Sequence, residues 1–357
     1  MFTTKSTTYL LYLITICISA CKSSEKIKLE NSVGKLGTLT IVSNKETHTE
    51  LQNTYNNIFL GQENKNLSAP FNEVLQPDEA DFLKFFYKQR TILVLVTEDN
   101  YNNLDDLVTE FKKGDILNYI NSAPLIIKSS KNLFSKNQEI LYLFAKNTQD
   151  LKYKLEQNSF EIINLLLKNE LNAQIKALQN DTSVNAKYYN EIKSNFGVGV
   201  QIPSGFMLKK QTPNFFFFQM TDKSDANKPK EIGLMIHAYK YKDTTDFSYL
   251  NIRTQRDSLC KYNMPGEIAG TYMSTSESEE YPARQRQDLM LNGYKTTKVS
   301  AWWTVKGISM AGPFTRYIVY VPKKNSIFAF EGFINKANLD INDKDIRLIE
   351  AIAQSIK

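Results

Sequence analysis

The stretch Arg286-Gln287-Asp288-Leu289-Met290-Leu291-Asn292-Gly293-Tyr294-Lys295-Thr296-Thr297-Lys298-Val299-Ser300-Ala301-Trp302-Trp303-Thr304-Val305 reads as two strands joined by Asn-Gly. Both central residues tolerate the positive φ that a two-residue hairpin turn requires, so the flanking strands are expected to run antiparallel. Downstream, Phe314 to Val321 and Ser326 to Ile334 repeat the pattern around Pro322-Lys323-Lys324-Asn325. Upstream, Gly197 to Ile202, Asn214 to Thr221, Glu231 to Tyr241 and Gly270 to Ser276 read as further strands, with Pro203-Ser204-Gly205 as a turn. Two helices are expected among them, Phe247 to Lys261 and Asp343 to Ile356, the second with Ile346, Ile349, Ile352, Ala353 and Ile356 on one face.

Before about residue 182 the signals alternate. Strands are expected at Leu36 to Val42, Thr91 to Val96, Pro124 to Lys128 and Glu139 to Lys146. Thr47-His48-Thr49-Glu50 has capping-box spacing and predicts a helix to about Leu60. Helices are also expected at Ala80 to Lys88, with Phe82, Phe85 and Phe86 on one side, and at Asn103 to Lys113. Thr148 to Leu178 predicts one long helix or two joined ones, and Val184 to Asn195 another, beyond the turn-like Asn180-Asp181-Thr182-Ser183. The fold class is therefore α+β, with an α/β-like N-terminal region at 36–181 and a largely antiparallel region with two helices at 182–357.

The N-terminus carries an address. Lys5 precedes an apolar core from Tyr9 to Ala20, too short for the roughly 20 residues of a membrane span. Ile18-Ser19-Ala20-Cys21 resembles the lipobox of bacterial lipoproteins, which implies a signal peptide at 1–20, a diacylglyceryl thioether on Cys21, acyl chains such as palmitate and a lipidated tether at 21–35. At about 5–6 Å per square root of residue number, the tether would hold the folded part on the order of 20 Å from the membrane. Lys22, in place of aspartate, favours the outer membrane by analogy with lipoprotein sorting. The scarcity of acids after Cys21, where Glu25 stands alone between lysines, favours its periplasmic side over the cell surface.

Losing residues 1–20, whose one charge is Lys5, takes the chain from 357 residues at +6 to 337 at +5. Hydrophobic residues at 42% and charged residues at 23% are ordinary globular values and exclude global disorder. No block of like charges suggests nucleic acid as a partner. Gly-x-Ser-x-Gly, His-Glu-x-x-His and zinc-spaced cysteine pairs are absent, so neither a metal nor a cofactor is expected.

Few residues offer chemistry. His48 is expected to be a solvated residue of a first helical turn and His237 a half-exposed strand histidine; Cys260 reads as a small buried residue. Phe215-Phe216-Phe217-Phe218 should place rings on both faces of a covered strand. Trp302, Trp303, Tyr317 and Tyr320 are the candidate ligand-binding residues, an aromatic platform for a glycan or peptide.

Several ordered patterns resemble an uncharacterised lipoprotein family of Bacteroidota, the domain of unknown function 4837. They are Asn195-Phe196 with Gly199-Val200-Gln201-Ile202-Pro203, Arg256-Asp257-Ser258-Leu259 before Met264-Pro265-Gly266, and Gly270-Thr271-Tyr272-Met273-Ser274-Thr275. Met310-Ala311-Gly312-Pro313-Phe314, Glu331-Gly332-Phe333 and Leu348-Ile349-Glu350-Ala351 complete the set. In the first half, Leu75-Gln76-Pro77-Asp78-Glu79-Ala80 departs from the family's order. The resemblance implies lineage and envelope location and brings no catalytic residue. Gly312-Pro313-Phe314 itself reads as a tight turn with an aromatic plug.

The expectation is a lipid-anchored cell-envelope protein that binds or assembles envelope components, held to the membrane by its anchor, with an envelope protein or glycan as partner. The alternatives are an envelope-polymer hydrolase using carboxylates, for which Glu277, Glu279 and Glu280 are the nearest cluster, and a structural subunit of an envelope complex.

Overall fold

A computed structural model of the chain describes residues 29–61, 69–180, 186–222, 230–281, 283–305, 307–336 and 343–357. The leader at 1–20, Cys21 and the turn-like residues 181–183 lie outside the described residues. The α+β expectation agrees with what is found: eight described helices and two separate sheets.

The first sheet has the order β2-β1-β3-β5-β4. Its strands are β1 (Thr38–Val42), β2 (Glu73–Leu75), β3 (Thr91–Thr97), β4 (Ile126–Lys131) and β5 (Glu139–Ala145). β2, β1, β3 and β5 are parallel, and β4 is antiparallel to β5. Helices cover both faces, so every residue of β1 and β3 is buried. On one side lie α1 (Lys45–Phe59), α4 (Thr148–Gln157) and α5 (Ser159–Asn180), around Leu51, Tyr55, Leu93 and Leu155. On the other lie the short helix α2 (Glu79–Asp81) with its π turn Phe82–Phe86, and α3 (Lys113–Ile120), around Phe82, Val94, Ile116 and Tyr142.

The second sheet has the order β10-β11-β12-β13-β8-β7-β6, with β9 also on β11, and every pairing is antiparallel. Its strands are β6 (Met207–Thr212), β7 (Phe215–Asp222), β8 (Lys230–Lys240), β9 (Met273–Thr275), β10 (Gln285–Leu291), β11 (Tyr294–Val305), β12 (Ile308–Val321) and β13 (Ser326–Lys336). Asn292 and Gly293 take φ of +48° and +88°, the geometry expected of the Asn-Gly hairpin. One face packs on α6 (Ala186–Phe196) and α8 (Asp343–Ala353) through Phe216, Phe218, Tyr317, Ile349 and Ile352. The other face packs on α7 (Tyr249–Asn263) through Phe215, Cys260, Trp303 and Phe314. The phenylalanine run does place rings on both faces. α5 joins the two layers, since Gln174 on it donates to Lys344 O on α8.

Several local expectations are corrected. Gly197 to Ile202 is not a strand: Gly199 exchanges both backbone bonds with Lys357 and Gln201 N–H donates to Ser355, so the segment lies along the chain's end with Val198, Val200 and Ile202 still buried. Asn103 to Lys113 holds the end of a short 3₁₀ helix (Tyr101–Leu104) followed by turns, and the α-helix begins at Lys113. α1 is capped by Asn44, which accepts from Thr47 N–H at 2.8 Å, so Thr47 to Glu50 sit inside the helix. The Phe82–Phe86 segment winds as a π turn, which buries Phe82 and turns Phe85 out to 63% exposure. Gly312-Pro313 is no turn; both sit in mid-β12 opposite Trp303 and Trp302. Residues 30–33, expected to be part of a free tether, instead pack on the fold: Ser32 N–H donates to Lys136 O, Val33 N–H to Lys88 O, and Glu30 pairs with Lys88.

Candidate functional site

The hairpin that decided the fold also makes a gap. β10 pairs with β11 only as far as Ser300, and β9 pairs with it from Trp303 onward, so among the described residues no strand covers the edge at Ala301 and Trp302. Ser276 N–H donates to Trp302 O at 2.8 Å, and pairing with β11 resumes at Gln285 in β10. Beneath this loop lies an open groove of 550 Å³ lined by Tyr249, Glu277, Glu279, Tyr281, Arg284 and Trp302 among others. Tyr281 stacks on Trp302 with centroids 4.9 Å apart and planes at 12°. The Arg284 guanidinium lies over the Tyr249 ring at 4.3 Å.

A chain of charges leads from this rim into the sheet. Arg253 Nη1 is 2.8 Å from Glu277, and Arg253 Nε is 3.7 Å from Asp257. Asp257 Oδ1 accepts from Thr275 N–H and Thr275 Oγ1–H at 2.8 Å each and lies 3.3 Å from Arg256 Nη1. Arg256 Nε donates to both oxygens of Glu331 at 3.0 and 3.1 Å, and Arg316 Nη1 donates to Glu331 at 2.8 Å. Arg256 Nη2, though 3.0 Å from Glu331, is not aligned for a hydrogen bond. Arg256, Arg316 and Glu331 are fully buried. Two guanidiniums thus share one buried carboxylate, and Asp257 supplies the second negative charge. Arg256 also stacks on Phe314 at 4.0 Å.

Both histidines are more buried than expected. His237 faces Arg316, whose Nη2–H donates to His237 Nε2. Burial first, then the Arg316 charge, hold the imidazole well below its ordinary 6.5, so it is neutral and accepts. His48 is packed in α1 with Nε2 3.1 Å from Pro77 O, because the true cap at Asn44 moves it inside the helix. Cys260 is the small buried residue expected, and burial pushes its thiol up to about 12.

His237 gives a testable pH dependence. In the unfolded chain it titrates near 6.5 and in the folded protein well below, so as pH falls past about 6.5 the unfolded chain binds the extra proton and stability declines. Between pH 7 and 5 the urea midpoint of His237→Gln, which keeps an acceptor for Arg316, is expected to fall less than that of the parent. Equal falls would show that His237 does not govern this window.

The four aromatic residues chosen from sequence do not come together. Register puts Trp302 and Tyr317 on the α8-facing side and Trp303 and Tyr320 on the α7-facing side. Trp303 and Tyr317 are each 2% exposed core residues, Trp303 donating Nε1–H to Ile334 O. Tyr320 packs on Tyr241 at 4.6 Å, and of the four Trp302 alone lines the groove. The missed residues are Arg256, Arg316 and Glu331. Their signal was parity: Arg316 lies between Phe314 and Ile318, and Glu331 between Ala329 and Phe333, on inward positions of apolar strands.

Residues 185–355 match a family model described as Domain of unknown function (DUF4837), and residues 32–179 match another, Domain of unknown function (DUF8532). No curated protein matches the sequence. Among solved structures, the Ran-binding protein Mog1p of Saccharomyces cerevisiae aligns at TM-score 0.30 and 7% identity, over 45% of this chain and 91% of its own. LpqN of Mycobacterium tuberculosis, involved in cell envelope biogenesis, aligns at TM-score 0.26 and 14% identity, over 45% of this chain and 82% of its own. Overlaps this loose say nothing of shared chemistry. The groove and its ionic chain lie within the segment matched by the first of these models.

Proposed function

We propose that the protein is a lipid-anchored binding factor of the cell envelope, tethered through Cys21 at the outer membrane, whose groove beneath the 276–284 loop takes an envelope glycan. The observation that carries this reading is the Tyr281–Trp302 stack in an open groove beside Glu277 and Glu279. Flat rings present an apolar face to a sugar ring, and carboxylates accept from its hydroxyls. A hydrolase would need two carboxylates facing each other across the scissile bond, whereas Glu277 is held by Arg253.

Trp302→Ala is expected to weaken binding of soluble peptidoglycan or lipopolysaccharide oligosaccharides at least tenfold, read by calorimetry. Equal binding by parent and variant, or none by either, would overturn the glycan reading. In cells, Cys21→Ala is expected to move the protein from the membrane fraction to the soluble one; unchanged fractionation would remove the anchor.

A further inference from the structure

The first sheet has a second place where a ligand is expected on geometry alone. Chain order runs outward from β1 to β2 and back across to β3, so strand order reverses between β1 and β3. In open parallel sheets the loops leaving the carboxyl ends of two such strands diverge to opposite faces and open a crevice. Here the crevice is a cavity of 330 Å³ lined by Ser43, Asn44 and Lys45 after β1, Asn103 after β3, and Asp78 and Glu79 at α2.

The crevice is braced. Buried Asn100 accepts from Thr97 N–H at 2.7 Å and donates to Ser43 Oγ at 3.1 Å and Leu95 O at 2.9 Å, tying the ends of β1 and β3 together. Two kinds of polar group meet there. α1 begins at its wall, and with Asn44 taken by Thr47 N–H and His48 N–H, the N–H groups of Lys45 and Glu46 have no acceptor within the helix. Also in the wall, the Glu79 carboxyl is held by the backbone N–H groups of Asp106 and Leu107 but leaves Oε1 buried without a hydrogen-bond partner, and Asp78, which accepts from Asp81 N–H at 2.9 Å, lies 3.5 Å from Lys45.

We propose that this crevice binds a small zwitterion of the amino-acid class, its ammonium against Glu79 and Asp78 and its carboxylate at the first turn of α1. A free phosphate or simple carboxylate fits less well, because Glu46, Asp78 and Glu79 outnumber Lys45 among the lining charges. A metal fits no better: among the described residues no three of His, Cys, Asp and Glu are placed to hold one. Burial first, then the Asp106 and Asp105 charges, push the Glu79 carboxyl up to about 7. Asp78 and Lys45 stand beside it in the crevice wall.

The test is calorimetry on the detergent-solubilised full chain with glycine, alanine and lysine as probes, against ethanolamine, acetate and inorganic phosphate. At least one amino acid is expected to bind ten times tighter than the three controls, and tighter at pH 8 than at pH 6, as Glu79 ionises. Glu79→Gln, a near-isosteric change, is expected to weaken that binding tenfold and to flatten its pH dependence; Asn103→Trp, on an exposed residue, is expected to block it by filling the crevice. Trp302→Ala, in the other domain, should leave it unchanged. Absence of amino-acid binding, equal binding of acetate or phosphate, or full binding by a folded Glu79→Gln variant would each overturn the proposal.

Discussion

Glu331→Gln is expected to cost about 3–5 kcal/mol, the largest loss from any single polar substitution in the protein. Glu331 is the one fully buried carboxylate that both Arg256 and Arg316 reach. An amide of the same shape keeps the packing but cancels the charge, leaving two guanidiniums in a dry interior with, among the described residues, only Asp257 paired to Arg256. The cost comes from the uncompensated charge more than from the lost bonds, which fixes the control. Combining Glu331→Leu with Arg256→Met and Arg316→Met removes all three charges and is expected to recover most of the loss, since apolar replacement of buried ionic groups is often neutral. Trp302 and Trp303 are the chain's two tryptophans and both lie in β11, so urea unfolding read by their fluorescence reports this region. A loss under about 1 kcal/mol for the single variant would show that water reaches the cluster.

Trp303→Ala is expected to cost a similar amount, about 3–5 kcal/mol, through lost burial and the cavity left behind. The indole fills the layer between β11 and α7, with Phe333 edge-on at 6.0 Å. Its position depends on Gly312, across the strand pair. A Cβ on Gly312 would sit 2.0 Å from Ile334 O and 2.9 Å from Trp303 Nε1, so Gly312→Ala alone is expected to be destabilising by at least the 1–3 kcal/mol typical of overpacking. Removing the indole relieves only the second contact. Gly312→Ala should therefore remain costly in the Trp303→Ala background, as read by urea unfolding followed by circular dichroism. Full rescue there would mean that the backbone at Ile334 yields, contrary to the packing.

Much of the fold was legible because its signals are local. The Asn292-Gly293 turn, the two-residue alternation of β11, the apolar runs of β8 and β13, and the apolar face of α8 each lie within a dozen residues. The errors fell where two periodicities overlap or where a distant partner decides. Gly197 to Ile202 alternates like a strand, but its hydrogen-bonding partner is Lys357, at the far end of the chain. Gly312-Pro313 carries turn residues, yet glycine is there because the Ile334 carbonyl and the Trp303 indole leave no room for a Cβ.

The groove was legible in one residue of four. Trp302 and Trp303 are neighbours, and alternation sends one to each face; the pattern says they part but not which of the two lies under a wall of protein. That depends on where β9 stops and β10 starts along β11. The same holds for the ionic cluster, where charges on α7, β12 and β13 meet only after the strands align in register. Local patterning by itself determined the kinds of element and their order, because hydrophobic periodicity and turn chemistry act over a few bonds. Tertiary structure alone decided which edge stays open, which charges are buried together and where β1 and β3 diverge, because each depends on contacts between segments tens to hundreds of residues apart.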